Sequence, residues 1–242
     1  MSDKSIIGLS RLVALQHHVD RIARNIANQT TAGFKSESLQ FQEYLSKARE
    51  EIPSSKMRSL VSTDSYIDFS SGSLTVTGNG TDVAIVGDAF FVVQTNDGER
   101  YTRRGAFAVD QNGRLVTFAG EPILSQSGVL TIPKGDGPLS IKADGTVSTA
   151  KGPIGRLRLV RLDDLEKVRA VGGGLFVSSK PASDIPANEI RLVVGAIESS
   201  NVKPIAEMTK LIAASRAYED VAKAIFRSED NRELKTLSGE DT

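Results

Sequence analysis

The side chains able to do chemistry are few, and their spacing does not favour it. The chain has two histidines, His17 and His18, and no cysteine. Neighbours on a helix point about 100° apart, so the pair cannot grip one ion, and Arg21 stands at i+4 from His17 where a second ligand would be needed. With no third histidine and no thiol, a Ser-His-Asp triad, a thiol nucleophile and a zinc centre all lack parts. Two surface histidines are the simpler reading. Gly78-Asn79-Gly80 opens like a dinucleotide-binding loop, but Val83 occupies the place of the third glycine and no helix pattern follows. Gly172-Gly173-Gly174 lacks the Lys-Ser/Thr of a phosphate loop, so both stretches read as turns. Asn28-Gln29-Thr30 and Asn79-Gly80-Thr81 match a glycosylation sequon that is common by chance. Arg103-Arg104, Lys151, Arg156 and Arg158 read as solvated strand faces. No catalytic residue, metal ligand or cofactor contact is expected.

Composition narrows the classes further. Lysine plus arginine equal aspartate plus glutamate, 30 against 30, so no global charge invites nucleic acid. Hydrophobic residues make up 39% of the 242, enough for a core, while aromatics are only 5%. No run approaches the roughly 18 apolar residues of a membrane span. Met1-Ser2-Asp3-Lys4-Ser5 leads into a polar-faced helix and lacks the apolar stretch of a cleaved signal peptide. The absence of cysteine suits a part that crosses into an oxidising compartment without cross-linking.

The informative elements are the two ends. Leu12, Leu15, Val19, Ile22 and Ile26 form one apolar stripe, and Met208, Leu211, Ser215, Tyr218, Ala222 and Ile225 form another. Both step by three and four residues, as in a coiled-coil seam. Leu9, Val13, Ile205 and Ile212 widen the stripes beyond what a two-helix pair can bury, so further helices from other subunits are expected. The first helix is predicted from Ser5 to about Asn28, with a short extension near Phe41, Tyr44 and Leu45. The second is predicted from the Ser199-Ser200-Asn201 cluster, with Pro204 in its first turn and Glu207 at the positive end of its dipole, to about Arg227. A polar, loosely ordered tail follows.

Between the ends the period shifts towards two. Candidate strands are Asp82–Val86, Phe90–Thr95, Ala106–Val109, Arg114–Phe118, Leu139–Lys142, Arg156–Arg161 and Glu189–Ile197, separated by turn signals such as Asn96-Asp97-Gly98 and Asp144-Gly145. A short helical turn is predicted over Leu162–Lys167. The predicted fold class is α+β: a mostly antiparallel β domain flanked by N- and C-terminal helices that pair in a coiled-coil-like bundle on assembly. The predicted division is 1–36 as an assembly helix, 37–75 as a connector with extended and short helical segments, 76–198 as a self-sufficient β domain, and 199–242 as the second assembly helix and tail.

Six stretches resemble one family. Asn25-Ile-Ala-Asn28-Gln-Thr-Thr31-Ala-Gly33-Phe34-Lys35 is similar to the opening signature of bacterial flagellar rod and hook proteins. Asp82-Val-Ala-Ile-Val-Gly87-Asp-Ala-Phe90-Phe91-Val-Val resembles their strand pair, with Ala89 in place of a usual glycine. Tyr101-Thr-Arg103-Arg-Gly105-Ala-Phe107 and the following Asn112-Gly113-Arg-Leu115 continue the likeness. Glu198-Ser-Ser-Asn201-Val202-Lys-Pro204 and Arg216-Ala-Tyr218-Glu219 complete it at the C-terminal end. The Ser200–Pro204 wording, the Asp230-Asn231 ending and the short connector after Phe41 resemble one basal-body rod protein more than the closely similar distal-rod and hook-type proteins.

The resemblance implies a non-enzymatic axial component of the flagellar basal-body rod. It implies passage through the flagellum-specific type III export apparatus without a cleaved signal, a periplasmic location around the export channel, and other rod subunits and copies of itself as partners. No nucleic acid, small-molecule substrate or membrane insertion is expected. In that frame Asn28, Thr31 and Gly33 would end the first helix, Phe34 would anchor the exit chain with Asn25 and Lys35 beside it, and Asn201 would cap the returning helix next to Val202 and Pro204. The stripe residues with Ile212, Arg216 and Glu219 would form the interface between subunits. A reading of another class, a β-rich enzyme or binding domain on an oligomerising stalk, would require a convergent polar pocket.

Overall fold

A computed structural model describes residues 3–46, 58–133 and 135–237. The chain separates into two compact units. One comprises Met1–Ala27, Glu37–Tyr66 and Lys203–Thr242, and the other Asn28–Ser36 with Ile67–Val202.

The first unit is built on helix α1, Asp3–Ala27, and helix α2, Pro204–Leu237. α1 has no proline, and α2 has one only at its first position, where the missing N–H costs nothing. α2 continues about ten residues past the predicted end because Ser228–Leu237 contains no glycine or proline. A Cβ at Gly8 would meet the Ile225 side chain at 2.9 Å, and Asn25 bonds Glu207, so the helices pack antiparallel. Ala14 and Ile22 of α1 and Ala214 of α2 are buried, and Leu12, Leu15, Val19, Ile26, Leu211, Ser215, Tyr218 and Ile225 are half-buried. A two-stranded sheet, Glu37–Ser46 with Arg58–Ile67, belongs to the same unit up to Tyr66. Short helical segments were expected in this stretch; the alternation Leu39-Gln40-Phe41-Gln42 has the period of a strand.

The second unit centres on a six-stranded antiparallel sheet. Its strands run in the order Arg169–Gly172, Leu175–Val177, Gly98–Thr102, Ala89–Thr95, Leu159–Arg161, Ser183–Asp184. The run Ala89-Phe-Phe-Val-Val93 is buried throughout, because alternate side chains enter two different cores. Phe91 and Val93 join Val83, Phe107, Leu115, Ile123 and Leu157 on one side. Phe90 and Val92 join Ile67, Leu124, Val160 and Phe176 on the other. Phe69, Phe90 and Phe176 meet edge to face with centroids 5.3–6.0 Å apart, the arrangement aromatic quadrupoles favour. The predicted helical turn is a 3-10 turn at Leu165–Lys167, and the predicted strand Glu189–Ile197 divides into Leu192–Val194 and Ala196–Glu198. The division occurs at Gly195, whose φ is +72°.

Candidate functional site

The charges that matter most are inside. Lys35 lies in an extended segment after the turn Thr31–Phe34, whose third residue is Gly33, with φ +66° and the Phe34 N–H donating to the Thr31 carbonyl. A Cβ at Gly33 would stand 2.6 Å from the Arg104 amide nitrogen, so only glycine satisfies both the backbone angle and the approach. The turn directs Lys35 inward, where its side chain is fully buried and Nζ donates to Glu198 Oε1 and to the Ser70 carbonyl, each at 2.7 Å. Burial pulls the Lys35 ammonium below its ordinary pKa, opposed by the Glu198 carboxylate.

Glu198 is equally buried and is shared among several partners. Its Oε1 also accepts the Gly72 N–H at 2.9 Å, its carbonyl accepts the Gly33 N–H at 2.7 Å, and its Oε2 lies 3.1 Å from Arg103 Nε. Arg103, 2% exposed, donates to the carbonyls of Gly87 and Ala89 at 2.6 Å each and sits over the Phe90 ring. Asn201 stands beside this centre. Its Oδ1 accepts the Ser36 N–H at 2.7 Å, and its Nδ2 donates to the carbonyls of Asp68 and Ser70. Asn201 was expected to cap α2; its side chain is committed to these segments instead, and the Lys203 carbonyl accepts the Glu207 N–H in the first turn.

A second polar cluster belongs to the helical unit. Asn25, 2% exposed, donates to the Glu37 carbonyl at 2.8 Å and accepts the Glu37 N–H at 2.9 Å, imitating a strand neighbour at the start of Glu37–Ser46. It also donates to Glu207 Oε2 at 2.9 Å, while Lys210 donates to Oε1 at 2.6 Å. The Glu37 carboxylate pairs with Arg21. His18 is half-buried, and burial together with the nearby Lys210 lowers its pKa, against the opposing pull of Glu207.

Lys35, Arg103, Glu198, Asn201 and Asn25 lie in stretches that carried the family likeness, and comparison with known proteins agrees. The flagellar hook protein FlgE/F/G D1 domain matches residues 84–149, and the flagellar basal body rod FlgEFG protein C-terminal region matches residues 193–234. The flagellar basal-body rod protein FlgF of Caulobacter vibrioides is 40% identical over 225 residues, covering 92% of each chain. The chain belongs to the flagellar basal-body rod protein family. FlgF of Mesorhizobium japonicum is 33% identical over 98% of each chain. FlgG of Bacillus subtilis is 30% identical, covering 92% of this chain and 94% of that one. Within the rod family the chain is FlgF-like.

In this rod protein the residues expected at a subunit interface fall into two groups. Leu12, Leu15, Val19, Ile22, Ile26, Leu211, Ser215, Tyr218 and Ile225 are buried or half-buried within the helical unit, whereas Met208, Ile212, Arg216 and Glu219 are exposed. Asn28, Thr31 and Phe34 are half-buried near the turn after α1, where the Asn28 carbonyl accepts the Thr31 N–H. Val202 is buried and Pro204 begins α2. The reading of Arg103 as a solvated strand face is corrected: the residue is buried, with Nη1 bonded to two carbonyls and Nε beside the Glu198 carboxylate. Glu37, Glu198 and Glu207 were not singled out as partners. The available signal was that Arg103 and Glu198 lie inside the matched motifs, where a charge with no catalytic use is a candidate for a buried pair.

Proposed function

We propose that this rod-family chain is a structural subunit of the flagellar basal-body rod that joins its neighbours through α1 and α2, around the channel through which later subunits are exported. The observation that carries this reading is a second apolar face on each helix. Leu9 and Val13 of α1 are 56% and 49% exposed, and Ile205, Met208 and Ile212 of α2 are 84%, 48% and 56% exposed. Spacings of three, four and seven residues put each set on one helical face. A monomer gains nothing from such a face, while full burial contributes about 1.5–3 kcal/mol per side chain. Coiled-coil-like packing with other rod subunits and with copies of this chain would provide that burial. Arg216 and Glu219 lie on the exposed side, where they can select partners by charge. Among the described residues no helix is long and apolar enough to cross a membrane, and the chain has no cysteine. A periplasmic location and delivery by the type III apparatus belong to this proposal through the rod family. The role is mechanical, transmission of torque by packing, and involves no catalysis, cofactor or nucleic acid.

Exposed positions give a clean test. Ile205→Asp/Ile212→Asp and Leu9→Asp/Val13→Asp, expressed in a strain lacking the native chain, should abolish swimming and incorporation into isolated basal bodies. The circular dichroism and urea midpoint of each purified monomer should stay at the parent values. Normal swimming by both variants would refute the proposal.

A further inference from the structure

We propose that Lys35 and Glu198, with Arg103, form a closure latch that completes the β unit by locking its first segment, 28–36, to its last, 196–202, after the central sheet has formed. This holds whether or not the helices assemble as proposed above.

The sequence positions make the pair the end of a long loop. Lys35 and Glu198 lie 163 residues apart, and Gly72, which shares the same carboxylate oxygen, lies 126 from Glu198. By contrast, the strands Ala89–Thr95 and Gly98–Thr102 are joined by a tight turn and pair as a hairpin. Chain entropy favours the short closure first and defers the long one. Electrostatics defers it further. The three side chains are 0–2% exposed, and two cations around one carboxylate lose their water only if the surrounding packing already supplies the Ser70, Gly87 and Ala89 carbonyls and the Gly72 N–H. The site cannot stabilise a collapsed chain before that frame exists.

Once closed, the latch ties three segments of chain together. Glu198 binds segment 33–35 through Lys35 and the Gly33 N–H, and segment 70–72 through Gly72. Asn201 adds Ser36, Asp68 and Ser70. A Cβ at Gly72 would lie 1.9 Å from the Ser199 carbonyl oxygen, so residue 72 is glycine because the last segment crosses directly over it. The β unit is therefore not self-sufficient over 76–198: it borrows the residues that precede and follow that range.

Stopped-flow unfolding and refolding of the full chain, with amide exchange followed by NMR, tests the latch on Lys35→Met, Glu198→Gln and the double variant. Each single substitution should speed unfolding of the β unit about a hundredfold while refolding stays within about threefold of the parent. The double variant should be no worse than the worse single one, because the partners act as a unit. Exchange at Gly33, Ser36 and Gly72 should rise well beyond the increase that faster global unfolding imposes on the ladder around Val92. Refolding that slows enough to account for the stability loss would place the pair in the folding nucleus and overturn the proposal. Effects that multiply in the double variant, or unchanged exchange at Gly72, would overturn it as well. Should Lys35→Met fail to fold, Glu198→Gln, which keeps an acceptor for Lys35 and Gly72, carries the same comparison.

Discussion

Arg103 shows how a charge can be structural without being half of a simple pair. Its guanidinium spans two carbonyls, Gly87 and Ala89, and meets Glu198 and the Phe90 ring. Nη1 alone donates to both carbonyls while Nε faces Glu198, so a lysine keeps the charge but has a single nitrogen for all three contacts. Arg103→Lys should therefore cost about 2–3 kcal/mol, read as a lower urea midpoint with an unchanged slope. An Arg103→Lys midpoint equal to the parent's would mean that the carbonyl contacts carry no net stabilisation. The motif around Arg103 marks a charge without catalytic use, but it does not name the partner, because the carboxylate is supplied by the distant strand Ala196–Glu198. Short motifs of Asx type are different, since their partners are local. Backbone N–H donors hold the Asp110 carboxyl below the ordinary range, from Arg114 first, and Asp144 is held down by Thr146. The Asp144 turn was legible because an aspartate two residues before its donor is a self-contained unit.

α1 and α2 were readable from apolar period alone, and so were most strands of the second unit, since alternation and turn chemistry are written locally. What period could not show is which residues of a wide stripe face the partner helix and which face outward. That depends on rotation set by the polar contacts of Asn25, Glu207 and Glu37, none of which has a periodic signature. The first strand of the sheet Glu37–Ser46 with Arg58–Ile67 alternates in sequence, but the asparagine side chain that ties it to α1 has no periodic signature. Asn25→Ala would leave both the Glu37 N–H and carbonyl without that partner inside the unit. A loss of about 2 kcal/mol is expected, with faster exchange of the Glu37 amide; unchanged exchange would show that the bridge is dispensable. His18 adds a pH dependence. Its pKa is lowered in the folded unit, so the unfolded chain binds the proton more readily. Stability of the helical pair should fall as pH drops below about 6.5, and His18→Gln should flatten that slope between pH 7.5 and 5.5. An identical slope in the variant would assign the effect to other groups.

The two units differ in how much apolar surface each buries for itself. The β unit has two cores on either side of one central strand. In the helices the only fully buried apolar side chains among the described residues are Ala14, Ile22 and Ala214. Backbone ordering costs about 1–2 kcal/mol per residue, and helix hydrogen bonds return only part of that, so a pair whose described seam residues are mostly half-buried is expected near the margin. Opening free energy in a protein follows local packing, which predicts two separable behaviours in dilute monomer. Amides around Ile22 and Leu211 should exchange fast, by local opening, while those of Val92 and Val93 should require global unfolding. Helical ellipticity should be lost at lower urea than the near-ultraviolet signal of the Phe69, Phe90 and Phe176 cluster, since the two probes report different units. Assembly should reverse the order at the helices alone: once Leu9, Val13, Ile205 and Ile212 are covered, Ile22 and Leu211 should become protected with no change at Val92. Coincident urea transitions together with slow exchange at Ile22 in dilute monomer would mean that the helical pair is stable by itself. The exposed apolar faces would then be ornaments of a finished structure and not the reason it needs neighbours.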